Sequence, residues 1–105
     1  MSNVTSTSRP RATLTAGSNP VIYNVSCASA NTEYSQVLNS GVKKFIVRVR
    51  GLAIMRIAFD SGETNVEWLT VPTGCSYCDD GLSFNGVLYF QTNKASQIVE
   101  ILEWT

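Results

Sequence analysis

In Lys43-Lys44-Phe45-Ile46-Val47-Arg48-Val49-Arg50, large apolar residues alternate with polar ones at a period of two. Successive side chains of an extended chain point to opposite faces, so this pattern belongs to a half-buried strand. Phe45, Val47 and Val49 are expected to face a core, with Lys44, Ile46, Arg48 and Arg50 on the outside. On the C-terminal side Gly51 turns the chain, and Ala53 to Phe59 forms the next run, with Met55, Ile57 and Phe59 inward and Arg56 outward. On the N-terminal side, Val21 to Cys27 places Val21, Tyr23, Val25 and Cys27 on one face, and Glu33 to Leu38 closes on Asn39-Ser40-Gly41.

The rest of the chain repeats this rhythm. Asp60-Ser61-Gly62, Pro72-Thr73-Gly74 and Asp79-Asp80-Gly81 are turn clusters, because Asp and Ser bond their own backbone and Gly accepts positive φ. They bracket strands over Val66 to Val71 and Cys75 to Cys78. Asn85-Gly86 predicts a two-residue hairpin into Val87 to Thr92, since a type I′ turn needs positive φ at both central positions. The last strand runs from Gln97 to Trp104. No segment keeps a 3.6-residue apolar period over three turns. About eight short strands without a helix predict an all-β fold: an antiparallel two-sheet sandwich, jelly-roll-like, with an immunoglobulin-like sandwich as the alternative.

The chain has 105 residues, suited to one domain, and 44% of them are hydrophobic. Residues 1–19 are mostly Ser, Thr, Asn, Arg and Gly, too polar to bury a core of their own. They read as a flexible or partner-ordered arm before a sandwich domain over residues 20–105. Thr13-Leu14-Thr15 alternates and suits addition as an edge strand on a neighbouring subunit. The N-terminal segment has no apolar h-region of a signal peptide, and no apolar stretch is long enough to span a bilayer. Synthesis in a cytosol and free thiols at Cys27, Cys75 and Cys78 are the expectation.

Eight basic and eight acidic residues cancel, which leaves no global field to gather nucleic acid or anionic membrane. Histidine is absent from the sequence, removing the commonest general base and the commonest zinc ligand. Cys75-Ser76-Tyr77-Cys78 is a C-x-x-C, but zinc needs a second ligand pair and a redox pair normally opens a helix. Asp79-Asp80 lacks the alternating oxygens of a calcium loop. Paired acids could hydrolyse a glycoside, yet no spacing sets two of them in one cleft. No nucleophile elbow, P-loop or dinucleotide fingerprint occurs. The chain therefore reads as a non-enzyme without metal or cofactor.

The positive signals are surfaces. Lys44, Arg48 and Arg50 share the outer face of one strand and Arg56 lies outward on the next. Pairing with Glu67 or Glu100 would neutralise this stripe; left unpaired, it would suit an acidic partner. In the last strand, Val99 and Ile101 inward put Ile98, Leu102 and Trp104 outward beside Glu100. Apolar residues on both faces of a strand imply cover from the arm, a loop or another subunit. Leu14, Arg48, Arg50, Arg56, Ile98, Leu102 and Trp104 are the candidate contact residues. Trp68, Tyr77, Tyr89 and Trp104 are candidate stacking surfaces for a carbohydrate.

Leu69-Thr70-Val71-Pro72-Thr73-Gly74, Asp80-Gly81-Leu82, Leu88-Tyr89-Phe90-Gln91 and the ending Val99-Glu100-Ile101-Leu102-Glu103-Trp104-Thr105 resemble small virion-associated proteins of tailed bacteriophages. The resemblance covers residues 32–105 and rests on strands and turns, not on a catalytic signature. It implies a β-sandwich that decorates or cements a capsid, often as a trimer, or that sits at a head–tail junction. The expected partners are a major capsid protein, another virion protein or further copies of the chain, and the expected location is the virion. The alternative is a carbohydrate- or receptor-binding module.

Overall fold

The computed structural model describes the backbone of residues 20–84 and 86–105, and the side chains of these except 81–84. The arm over residues 1–19, including Leu14, and Asn85 lie outside the described residues. Eight strands follow in order: β1 (Pro20–Cys27), β2 (Tyr34–Val37), β3 (Val42–Val49), β4 (Met55–Ala58), β5 (Leu69–Val71), β6 (Ser76–Phe84), β7 (Val87–Thr92) and β8 (Gln97–Trp104). A 3₁₀ turn at Glu63–Asn65 lies between β4 and β5.

The strands form two four-stranded antiparallel sheets. Sheet I has the order β1-β8-β3-β6 and sheet II the order β2-β7-β4-β5. The pairings are nested: β4 with β5, β3 with β6, β2 with β7 and β1 with β8. The chain is thus a long hairpin folded over on itself, its successive pairs dealt alternately to the two sheets. Contacts of β3 with β8 and β4 with β7 join the pairs into sheets. This is the jelly-roll arrangement. The immunoglobulin alternative is overturned, because sequential neighbours pair within a sheet only at β4–β5.

The core lies between the sheets and uses the alternation of each strand. Cys27, Phe45, Val47, Val99 and Ile101 from sheet I meet Met55, Ile57, Val71, Leu88 and Phe90 from sheet II. Each such side chain contributes about 1.5–3 kcal/mol on burial. A register shift between Val42 and Lys44 against β6 marks a bulge. The extra residue lets Val42 and Phe45, three apart, both face inward.

β8 carries the inward phase one step further than its apolar residues, to a fully buried Glu103. Among the described residues no cation forms an ion pair with it, so its carboxylate relies there on hydrogen-bond donors. The Asn39 backbone N–H donates at 3.1 Å and the Asn39 amide also donates. The Tyr23 phenol is bonded there too; burial, then the Glu103 charge and hydrogen bond, push its pKa upward. Glu103 therefore ties the β2–β3 crossing between the sheets to the centre of sheet I.

Several expectations are corrected. β6 runs straight through Asp79-Asp80-Gly81, where a turn was expected; pairing of Phe45 with Asp79 and Lys44 with Asp80 outweighs local turn preference. β6 and β7 do not form the expected two-stranded hairpin, because β6 belongs to sheet I and β7 to sheet II; Asn85 of the expected turn lies outside the described residues. The expected strand from Val66 shortens to Leu69–Val71, with the preceding segment used in the 3₁₀ turn and its exit. Phe59 is 41% exposed, not inward, whereas Ala58 is buried. β4 ends at Ala58, and the 3₁₀ turn folds back over this side of sheet II.

Core and outer positions of sheet I should respond differently to truncation. Urea denaturation of I101A is expected to show a loss of about 2–5 kcal/mol from the cavity left in the core. I22A, on the open outer face, is expected to change stability by no more than about 0.5 kcal/mol.

Candidate interaction surfaces

The outer face of sheet I is built row by row from the strand registers. Ile22 of β1 lies opposite Leu102 of β8, which lies opposite Ile46 of β3, which lies opposite Cys78 of β6. This apolar row crosses all four strands. Ile22 is 68% exposed, Cys78 is exposed, and Leu102 and Ile46 are half-buried. A shallow hollow of about 490 Å³ opens along it, edged by Asn24, Arg48, Ser76 and Glu100.

Polar rows flank the apolar one. On one side Trp104 pairs with Lys44, whose ammonium lies 5.1 Å from the ring centroid, a cation–π distance. On the other side Glu100 bridges two guanidinia, with Arg48 Nε 2.8 Å from one carboxylate oxygen and Arg50 Nε 2.7 Å from the other. Hydrogen bonds from Arg50 and Arg48 hold the Glu100 carboxyl below the usual range. Glu100, one of the two acids expected to pair with the basic stripe, thus bridges two of its arginines and offsets one of their charges; Glu67 takes no part in these bridges.

Of the residues expected to make contacts, Arg48, Arg50, Ile98, Leu102 and Trp104 do share the outer side of sheet I. Arg56 does not. It is on sheet II, stacked over Trp68 at 3.9 Å from the ring centroid. The expected continuous stripe from β3 to β4 fails because these consecutive strands lie in different sheets. Sequence reasoning missed the importance of Ile22 and Cys78. Ile22 stands out of phase with Val21, Tyr23 and Val25, and that was the available signal. Cys78 joins the row only through the β3–β6 register.

A second surface surrounds the β4–β5 connection. Phe59, Val66, Trp68 and Leu69 are all exposed by 40% or more. They line an open hollow of about 630 Å³ together with Asp60, Glu63 and Glu67. A polar network holds the connection in place. Glu33 accepts the Gly62 N–H at 2.9 Å through one oxygen and the Thr64 hydroxyl at 2.5 Å through the other. The Gln91 amide donates to the Thr64 hydroxyl at 2.9 Å and to Asn65 Oδ1 at 3.2 Å. Thr64 and Gln91 are both buried, so each needs these partners. Partial burial works to raise the Glu33 pKa, but the Thr64 hydroxyl and the Gly62 and Thr64 N–H groups outweigh it, and the net displacement is downward.

The candidate stacking aromatics are dispersed. Tyr77 packs inward at 5.9 Å from Phe45 and donates to Asp79 at 2.9 Å. Trp104 is on sheet I, while Trp68 and Tyr89 belong to sheet II or its connection. Cys27 is buried, and desolvation raises its thiol to about 11. Cys75 and Cys78 are exposed free thiols. Among the described residues, no group of three His, Cys, Asp or Glu side chains is placed to hold a metal ion. No helix there is long and apolar enough to cross a membrane.

No family model matches the chain, and no curated protein matches it. Among solved structures it is similar to a protein of Bacillus endospore appendages, described as a novel family of disulfide-linked pili. The identity is 18%, the TM-score is 0.44, and the alignment covers 91% of this chain and 97% of that one. Likeness at this level says nothing about what the chain does.

Two measurements check these environments. A thiol reagent should modify Cys75 and Cys78 in the native reduced protein and Cys27 only after denaturation. The lowered Glu33 pKa gives stability that is complete above the ordinary glutamate value of 4.5 and is lost as pH falls through the lower folded value. Denaturation midpoints followed from about pH 6 to about pH 3, across the ordinary glutamate range, should therefore fall less steeply for E33Q than for the parent.

Proposed function

We propose that the chain is a non-enzymatic structural subunit of a phage virion, a capsid-decoration or cement protein that associates with further copies of itself and seats on the shell. The observation that carries this reading is the outer face of sheet I. Its row Ile22–Leu102–Ile46–Cys78 is apolar across the whole width of the sheet, with paired charges on one side and a Lys–Trp stack on the other. An apolar centre with a polar rim is the anatomy of a protein interface. Glu100 holds the Arg48 and Arg50 side chains in place within the face, so less ordering of these long side chains remains when a partner approaches.

The resemblance to virion-associated sandwiches supports the same role and supplies the shell as partner. Attachment would stabilise the shell by mass action, since a subunit that binds only assembled lattice favours assembly. The dispersal of Trp68, Tyr77, Tyr89 and Trp104 over different surfaces favours this reading over carbohydrate stacking on an aromatic platform.

Quantitative mass spectrometry of purified particles and of the soluble fraction from the same lysate tests the proposal. The chain is expected in the particles in fixed ratio to the major shell protein. Its confinement to the soluble fraction would overturn the reading.

A further inference from the structure

We propose that the N-terminal arm of one copy, residues 9–16, seats in the β4–β5 hollow of a second copy. The inference rests on the reading of the chain as an assembling subunit and names how copies join. The hollow is lined by the exposed apolar side chains of Val66 and Leu69 and by the acids Asp60, Glu63 and Glu67. Arg56, stacked on Trp68, does not line it. An occupant of matching chemistry is basic, with one or two apolar side chains and little else.

Residues 9–16, Arg-Pro-Arg-Ala-Thr-Leu-Thr-Ala, have that composition, and residues 1–19 contain no Asp or Glu. Leu14 supplies the apolar anchor, and Arg9 and Arg11 supply the charges opposite Asp60, Glu63 and Glu67. The hollow also adjoins β5, the edge strand of sheet II, whose outer side has no partner strand among the described residues. Thr13-Leu14-Thr15 is extended in pattern and has the amides to pair along such an edge.

The arm joins β1, at one edge of sheet I, and β5 is linked by residues 72–75 to β6, at the opposite edge of that sheet. Seating in a second copy makes the contact head-to-tail, arm side of one copy against β5 side of the next, and is told apart from seating in the same copy by the state of association. Such contacts close into rings or continue as open arrays according to the rotation between copies.

Sedimentation velocity on the full chain and full-chain charge variants tests the proposal, with Trp68 emission as a second readout at the hollow. The parent is expected to self-associate in a salt-sensitive manner. R9E/R11E and, separately, E63K/E67K are expected to weaken association about tenfold or more, because like charges then face each other. The combined variant carrying all four reversals is expected to regain association. R9E/R11E alters only residues ahead of the first strand, so it remains informative if E63K/E67K proves unable to fold. A parent that stays monomeric, association indifferent to R9E/R11E, or a folded combined variant that stays dissociated would overturn the proposal. A monomeric parent would also remove the self-association from the proposed function, whereas attachment to the shell is decided separately by particle composition.

Discussion

The fold depends on β8 being paired along both of its edges. It lies between β1 and β3, with β1 in register from Pro20↔Trp104 to Cys27↔Gln97 and β3 from Lys44↔Trp104 to Val49↔Val99. Without it sheet I would separate into an isolated β1 and a β3–β6 ribbon, and two-stranded ribbons are marginal in water. β8 also brings Val99 and Ile101 to the core and Glu103 to the Asn39 donors. Both nested pairs of sheet I, β1–β8 and β3–β6, are consequently joined through β8, and most of the contacts of the fold are long-range in sequence. Loop closure must precede the contacts that stabilise it, a feature of slowly folding β topologies.

Much of this architecture was legible from local pattern. The alternation in β3 and β8 placed inward and outward residues correctly, and the bounds of β8 were read as they stand. The misreadings occur where tertiary pairing competes with local preference. Asp79-Asp80-Gly81 carries strong turn chemistry, yet β6 is held extended by its ladder to β3. Asn85-Gly86 has the sequence of a hairpin turn, but the strands before and after it, β6 and β7, belong to different sheets. No local signal distinguishes a turn within a sheet from a crossing between sheets. The same blindness put Arg56 on the face of Arg48 and Arg50, because consecutive strands were taken as sheet neighbours. Gln91 and Thr64 were hidden for a related reason: each is buried through a network closed by Glu33, about thirty to sixty residues away along the chain.

The two surfaces follow from this arrangement. The strand that completes sheet I also carries its outer rows, so packing and presentation are alternate positions of one segment. Val99, Ile101 and Glu103 hold the sandwich, while Ile98, Glu100, Leu102 and Trp104 are turned outward. The β4–β5 connection has a different logic. It sits at the apex of the folded hairpin, fixed from below by Glu33, Thr64 and Gln91, and it keeps Val66, Trp68 and Leu69 exposed. A rigid base under exposed apolar residues suits recognition, because little ordering remains to be done on contact.

Amide hydrogen exchange resolved by residue tests the central place of β8 most directly. In an inner antiparallel strand successive N–H groups are bonded alternately to the two neighbours, so all of them are protected; an edge strand protects only every second one. The account requires continuous protection from Val99 to Glu103, at the level of global unfolding, with an alternating pattern in β1. Alternating protection in β8, or exchange there as fast as in the loops, would contradict it.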